Sequence, residues 1–282
     1  MDIKNFKSAE MPGDVLFFLE VKGNNHKYYH HYTNIDSLIK MIHSKYFLLT
    51  RGNSVNINDQ HEYRAKGSAE LWNKTYLASF AYGDSENMAM WGLYGLPWEE
   101  AIRISIPQKA MKKWIAGISD VFSARFIIEN LQTEQLRVPF RARLSDIVYI
   151  DGKQDSESSK LYWNGESVSL KDRPLLKGID LEPQMTGFIK NDAWKYENEV
   201  RVHIQLQKET DEERIAIKLT DEVVSSMIIT AGPYFKGNLE EKIAEKVPFV
   251  LNNFQFEESG FKNLVKYRSL CTMCQHETFV RK

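Results

Sequence analysis

The spacing of apolar and polar positions changes period several times along the chain, and each change marks an element. KYYHHYT, residues 27–33, is rich in β-favouring side chains and predicts a strand. Directly after it, Ile35, Leu38, Ile39 and Ile42 recur at helical spacing and predict a helix over about residues 35–44. Thr33-Asn34-Ile35-Asp36 has the form of a capping box, which places the Thr33 hydroxyl against the first-turn amides. YFLLT (46–50) then predicts a short buried strand, and RGNSVNINDQHEYR (51–64) a polar loop.

Further on, Tyr76 to Ala81 predict a strand, SENMAMWGLYG (85–95) a turn or short helix closed by Gly95, and AIRISIP (101–107) a half-exposed strand. QKAMKKWIAGI (108–118) suits a helix, and LSDIVYID (144–151) suits a strand. Residues 187–207 place a polar elbow before a strongly alternating strand. VVSSMIITAGPYF (223–235) predicts a strand ending at Gly232-Pro233, with a helix starting in 237–250. Residues 1–20 predict strand or irregular structure. Helices and strands mix without a βαβ period, so the expected class is α+β. The expected organisation is one domain over 1–282, with an insertion around 119–185.

Composition narrows this only a little. With 37 Lys and Arg against 38 Asp and Glu, the chain has no global pull toward polyanions. No apolar run approaches the roughly 20 residues of a membrane span, and the amino-terminal segment lacks the shape of a signal peptide. A cytoplasmic location and no membrane partner are expected. The basic, aromatic RVPFRAR (137–143) is a possible nucleic-acid clue, although a solvated loop explains it equally.

WKYENEVR is the segment richest in chemistry. On a strand, Glu197, Glu199 and Arg201 share one face. Paired carboxylates raise each other's pKa, and a neighbouring Arg moderates that. An exposed edge with a salt bridge is the plain alternative, but Val202, Ile204 and Leu206 continue the alternation of a half-buried strand. Trp91 and Tyr94, with Ser79 at a strand end, are either core or the wall of a pocket for a planar ring. Asn58, Asp59, His61 and Glu62 have a spacing that suits a metal but also a solvated loop, and Cys271, Cys274 and His276 form only half a zinc site. Walker, G-x-G-x-x-G, G-x-S-x-G and H-E-x-x-H motifs do not occur.

Four motifs in order resemble the DUF2971 family, bacterial proteins of unassigned function. They are His31-Tyr32-Thr33 before a helix, Asn58-Asp59 with Glu62, Met90-Trp91 with Tyr94-Gly95, and Trp194 with Glu197, Glu199 and Arg201. Gln60-His61 stands where the family more often has an apolar pair. The motif order is similar, more distantly, to the ADP-ribosyltransferase superfamily, whose fold is a split mixed and antiparallel sheet with flanking helices. That resemblance implies NAD as cofactor, Glu199 and Glu197 as catalytic residues, and His31, Tyr32, Thr33, Arg51, Ser79, Trp91 and Tyr94 as the cofactor-binding set. Arg51 would meet the phosphates, and Tyr76, Ser79 or Tyr82 would fill the middle-strand position.

The chemistry the resemblance implies is coherent. Cleaving the nicotinamide–ribose bond builds positive charge on the sugar, as in glycosidases. A carboxylate beside the ribose stabilises that charge, and a helix start suits a pyrophosphate. The expected activity is therefore an NAD-dependent ADP-ribosyltransferase, a toxin or phage-defence effector. Its partners would be a macromolecular acceptor (RNA, DNA or protein) and an antitoxin or chaperone. The alternatives are a non-enzymatic nucleotide- or partner-binding module and a metal-dependent nuclease using Asp59, Glu62, Glu197 and Glu199.

Overall fold

The computed structural model describes residues 5–22, 25–54, 69–127, 130–151, 159–247 and 254–264. The chain enters through a 3₁₀ turn (Phe6–Ser8) and helix α1 (Pro12–Phe17), where strand or irregular structure was expected. Pro12 occupies the first helical turn, and the Asp14 carboxylate accepts from the amides of Glu10 (2.9 Å) and Met11 (3.1 Å). Val15, Phe18 and Leu19 then fall on one buried face, so the apolar run is a helix face rather than a strand.

Strand β1 (Tyr28–Asn34) runs into α2 (Ile35–Ser44), and β2 (Tyr46–Arg51) returns from it. Helix α3 (Ala69–Asn73) precedes β3 (Thr75–Tyr82). Helix α4 (Met88–Tyr94) leads to β4 (Ala101–Pro107) and α5 (Gln108–Ala116). Three short strands follow: β5 (Phe122–Ser123), β6 (Arg125–Ile127) and β7 (Asn130–Gln132). Next come β8 (Phe140–Asp146), β9 (Val148–Ile150), β10 (Lys160–Trp163), β11 (Glu166–Ser169) and β12 (Ile189–Asn191). The chain continues through β13 (Glu199–Leu206), β14 (Arg214–Lys218), α6 (Asp221–Ser226), β15 (Ile228–Ala231), α7 (Leu239–Lys246) and β16 (Gln255–Glu258).

Ten strands make one mixed sheet, ordered β16-β15-β4-β1-β3-β2-β14-β5, with β13 on β3 and β8 on β13. This is the α+β class with a split mixed sheet that the sequence led us to expect. The split has a definite origin. Strands β1 and β2 both pair with the same edge of β3, but at opposite ends: Tyr29 and His30 face Tyr82 and Ala81, whereas Thr50 and Arg51 face Leu77 and Tyr76. Between those two pairings, residues 78–80 keep a partner on the β13 side alone. Strand β1 meanwhile stays paired with β4 over seven residues. A cleft opens where β1 and β2 diverge, with α2 connecting its two walls.

The two faces of this sheet differ in kind. On one, Val200, Val202 and Ile204 of β13 join Ile102, Ile104 and Ile106 of β4 in the main core, packed with α2 and α5. Strand β4 is buried almost throughout, not half-exposed, because it lies inside the sheet between β1 and β15. On the opposite face, Glu199, Arg201 and His203 alternate with that apolar row and are also buried. A second, four-stranded sheet, β11-β10-β9-β12, has its own core with α1 and Phe6. The segment 144–151 is two strands rather than one, since β8 and β9 belong to different sheets. Within residues 119–185, β5 and β8 join the main sheet, β6 and β7 pair with each other, and β9 to β11 belong to the second sheet.

Candidate functional site

A cavity of about 890 Å³ occupies the cleft. Its wall brings together His31, Tyr32, Thr33, Ser79, Tyr94, Glu197 and Glu199 from the predicted set, together with Lys190, Arg201, Lys40 and Arg214. The volume is within the range of small-molecule sites.

The His31 ring sits at the open edge of β3, where its Nδ1 donates to the Ser79 carbonyl at 3.1 Å. That carbonyl belongs to the stretch of β3 left without a strand on the cleft side. Phe47 and Phe80 lie 5.3 and 5.4 Å from the ring. Burial pushes the imidazole pKa below its ordinary value, partly offset by the Ser79 carbonyl. A neutral ring donating from Nδ1 keeps Nε2 as an acceptor. His30, on the other face, is absorbed into structure: Nδ1 pairs with Ser105 Oγ at 2.8 Å and Nε2 with the Gly83 carbonyl at 2.9 Å.

The helix after β1 is capped by Asn34, whose Oδ1 accepts from the Ser37 amide at 2.9 Å. Thr33 is therefore not the cap the sequence suggested. Its pairing with Ile102 of β4 keeps it in the strand, and the ladder continues to Asn34 opposite Ala101. The cap thus moves by one residue while the helix starts at Ile35 as expected, and Thr33 is left in the cleft wall.

The carboxylate pair lies at one end of the cleft. Glu199 opens β13, whereas Glu197 closes a 3₁₀ turn (Asp192–Glu197) and Asn198 between them is left-handed, with φ of 45°. The two acids thus meet through a turn and not through the simple strand alternation read from the sequence. Arg201 donates to Glu199 twice, Nε to Oε1 at 2.7 Å and Nη2 to Oε2 at 3.1 Å. Lys190 of β12 bridges both acids, with Nζ 2.6 Å from Glu197 Oε2 and 3.2 Å from Glu199 Oε2. Ser79 Oγ donates to Glu199 Oε1, and Tyr94 OH donates to Glu197 Oε1 at 2.6 Å. Tyr149 OH accepts from the Glu199 amide at 2.8 Å and fixes the start of the strand.

These surroundings push the two acids apart. Burial alone would raise the Glu199 pKa, but Arg201 and Lys190, with the Ser79 hydroxyl, outweigh it and hold the carboxyl at about 2. For Glu197, burial and the charge of Glu199 win over Lys190 and Tyr94, and its pKa rises above the usual carboxylate value. The surroundings thus favour the ionised form of Glu199 and disfavour that of Glu197, a separation that marks acid–base roles in many sites.

Helix α4 covers this end. Asn87 caps it through the Ala89 amide (2.9 Å) and also donates from Nδ2 to the Tyr196 carbonyl at 2.6 Å. Its own amide donates to Tyr32 OH at 3.3 Å. Trp91 stands edge-on to Tyr32 at 4.8 Å, and its Nε1 donates to Glu86 Oε2 at 2.9 Å. Trp91 is buried behind Tyr32 rather than lining the cavity, so its ring supports the wall instead of offering a stacking face.

Arg51 is not brought to the cavity. Its Nε donates to the Glu212 carbonyl at 2.9 Å and its Nη2 to the Thr210 carbonyl at 2.8 Å, which ties the β13–β14 connection to β2. Alternation turns it to the face opposite Thr50, and the arginine on the Thr50 side is Arg214, its register partner. Tyr76 OH joins the same structural tie through the Glu212 carbonyl at 2.6 Å, and Tyr82 packs flat on His26 at 3.7 Å. Of the three middle-strand candidates, Ser79 is the one that reaches Glu199.

Lys190, like Lys40 and Arg214, has no signal in the sequence that marks it for the cavity. In GFIKND it is one lysine among many, and only the parallel pairing of β12 with β9 carries it to the acids. Asn58, Asp59, His61, Glu62, Cys271, Cys274 and His276 lie outside the described residues. Among the described residues no helix is long and apolar enough to cross a membrane.

No family model matches the chain, and no curated protein matches it. The resemblance to the DUF2971 family therefore rests on its motifs. Two solved structures are similar at 10% identity: Thermus sp. 2.9 DarT in complex with NAD⁺ (TM-score 0.35, covering 86% of this chain and 98% of that one) and the same protein in complex with ADP-ribosylated ssDNA (TM-score 0.34, 85% and 96%). Similarity this slight assigns neither a fold family nor a chemistry.

Proposed function

We propose that the chain is an NAD-dependent ADP-ribosyltransferase whose cleft binds NAD and passes its ADP-ribosyl group to a macromolecular acceptor. The observation that carries this reading is the buried carboxylate pair at the end of the split-sheet cleft, Glu199 held by Arg201 and bridged to Glu197 by Lys190. The donor set fits a dinucleotide. An acidic end formed by Glu197 and Glu199 suits a ribose and the positive charge that develops on it. Away from the acids, Lys40 of α2 and Arg214 of β14 suit phosphates, a role in which Arg214 replaces Arg51.

NAD bound there would supply a ribose carbon with nicotinamide as its leaving group. Glu199, fixed by Ser79 and Arg201, holds negative charge next to that carbon. His31 offers Nε2 to a ribose hydroxyl, and Tyr32 and Thr33 shape the wall beside it. Glu197 orients the acceptor and receives its proton, with Tyr94 steadying the carboxylate from the α4 side. Trp91 keeps Tyr32 in place from behind.

The test is release of nicotinamide from NAD by the purified protein in EDTA, with and without total cellular RNA, DNA or protein. Release stimulated by one fraction supports the transferase and identifies the acceptor class. Release without any acceptor makes the protein an NAD glycohydrolase. A second reading, a nucleotide-binding module without turnover, is favoured by the charge balance of the pair, in which Lys190 and Arg201 already neutralise both acids. It predicts that NAD raises the melting temperature while no nicotinamide is released. The nuclease reading loses ground on the same pairing, since cations of the chain already occupy the oxygens a metal would need.

A further inference from the structure

We propose that Lys190 is a positioning residue that decides how the two acids divide their work, bridging them so that Glu197 stays aimed at the cleft as the base for the acceptor. The proposal rests on Glu197 receiving a proton in the proposed transfer, and its geometry is independent of that reading. Nζ lies 2.6 Å from Glu197 and 3.2 Å from Glu199, and the ammonium sits 4.8 Å over the Trp194 ring. The side chain is 6% exposed. A buried ammonium between two carboxylates acts at close range on both, whereas a surface lysine would be screened.

The groups facing Glu197 come from every element packed around it. Among the described residues they are Lys190 from β12, Glu199 with Arg201 from β13, Tyr94 from α4, Tyr149 from β9 and Tyr196 from its own 3₁₀ turn. Arg201 donates to both oxygens of Glu199. Lys190 donates to Glu197 directly, and it opposes the burial and the Glu199 charge that favour the protonated form. Without it, Glu197 would hold its proton to higher pH and lose a bond that aims its carboxylate.

The experiment follows the Glu197 carboxyl carbon by NMR in protein labelled at glutamate side chains, assigned through Glu197→Gln, across a pH titration. Lys190→Met should move the Glu197 midpoint upward by about one pH unit or more. Lys190→Arg, which keeps the buried charge and is the safer variant to fold, should leave the midpoint near that of the wild type. An unmoved midpoint in Lys190→Met overturns the proposal. So does a midpoint that moves as far in Lys190→Arg, because packing rather than charge would then be responsible. If Lys190→Met does not fold, Lys190→Gln takes its place and is expected to show the same rise. Where nicotinamide release is measurable, the acid limb of its pH profile should move with the midpoint, which a purely structural lysine would not cause. Absence of release from wild type would sink the transferase reading while the NMR result still decides the role of Lys190.

Discussion

Arg201 grips Glu199 two positions back on its own strand, with Nε to Oε1 at 2.7 Å and Nη2 to Oε2 at 3.1 Å. The pair is buried, at 3% and 2% exposure, so neither charge has bulk water to fall back on. Arg201 also donates from Nη1 to the Gly187 carbonyl at 3.0 Å, which couples the site to the segment entering β12. Removing the guanidinium would strand a buried carboxylate. Arg201→Met should therefore cost about 3–5 kcal/mol of stability, read by urea denaturation, while Arg201→Lys should cost less. A loss below about 1 kcal/mol would mean that water already solvates the pair.

Gly187 allows a second prediction. Its φ is 83°, and a Cβ there would come 3.1 Å from His203 Cδ2. Gly187→Ala combines left-handed strain with that contact and should destabilise by about 1–2 kcal/mol or more. Thermal melting measures the loss, and an unchanged melting temperature would contradict the local backbone geometry.

His30 and His203 make stability pH-dependent. Burial lowers the pKa of His30 to about 4 and of His203 to about 3, with Arg103 and Arg143 adding to the respective shifts. Both must be neutral in the fold, while the unfolded chain takes up their protons near the ordinary value of 6.5. Their contribution is complete above about 6.5 and is lost as pH falls toward the folded values. Stability by urea denaturation should drop on acidification from pH 7 to 4, and His30→Gln should flatten that slope. Glu199 works in the same direction further down, its contribution fading only as pH falls from the ordinary carboxylate range toward about 2. Glu197 has the opposite sign, since its raised folded pKa makes the fold less costly once it is protonated. An equal slope between pH 7 and 4 in wild type and His30→Gln would refute the histidine account.

Glu86 ties the end of the described chain to the site. Its carboxylate accepts from Ser259 Oγ at 2.6 Å, the Gly260 amide at 2.7 Å and Trp91 Nε1 at 2.9 Å. Hydrogen bonds to a charged group are worth about 1.5–3 kcal/mol. Glu86→Ala should therefore loosen α4, seen as faster amide hydrogen exchange across residues 88–94. Exchange that stays at the wild-type rate would show that Asn87 alone holds the helix.

The elements most legible in the sequence were those whose pattern is local. The i, i+3, i+4, i+7 spacing of Ile35, Leu38, Ile39 and Ile42 set α2 correctly, and the alternation after Glu199 set β13. Failures came where long-range packing decides. The apolar run in residues 1–20 became a helix because the second sheet offers it a surface, and β4 lost its exposed side to neighbours on both edges. His31, Ser79, Tyr94 and the two acids, expected together from type and order, do line one cavity. Arg51 misled because one step of alternation separates it from the cleft face. Lys190 gave no signal at all, since nothing in GFIKND distinguishes a lysine that meets two acids from one that meets water.

The central claim is tested most directly by one comparison, nicotinamide release from NAD by wild type and by Glu199→Gln. The substitution keeps the side-chain shape and removes the charge that would face the ribose. The account predicts release by wild type and a loss of at least about a hundredfold in the variant, the scale of removing one electrostatic stabiliser. Equal release by both proteins, with the fold of each confirmed, would contradict it.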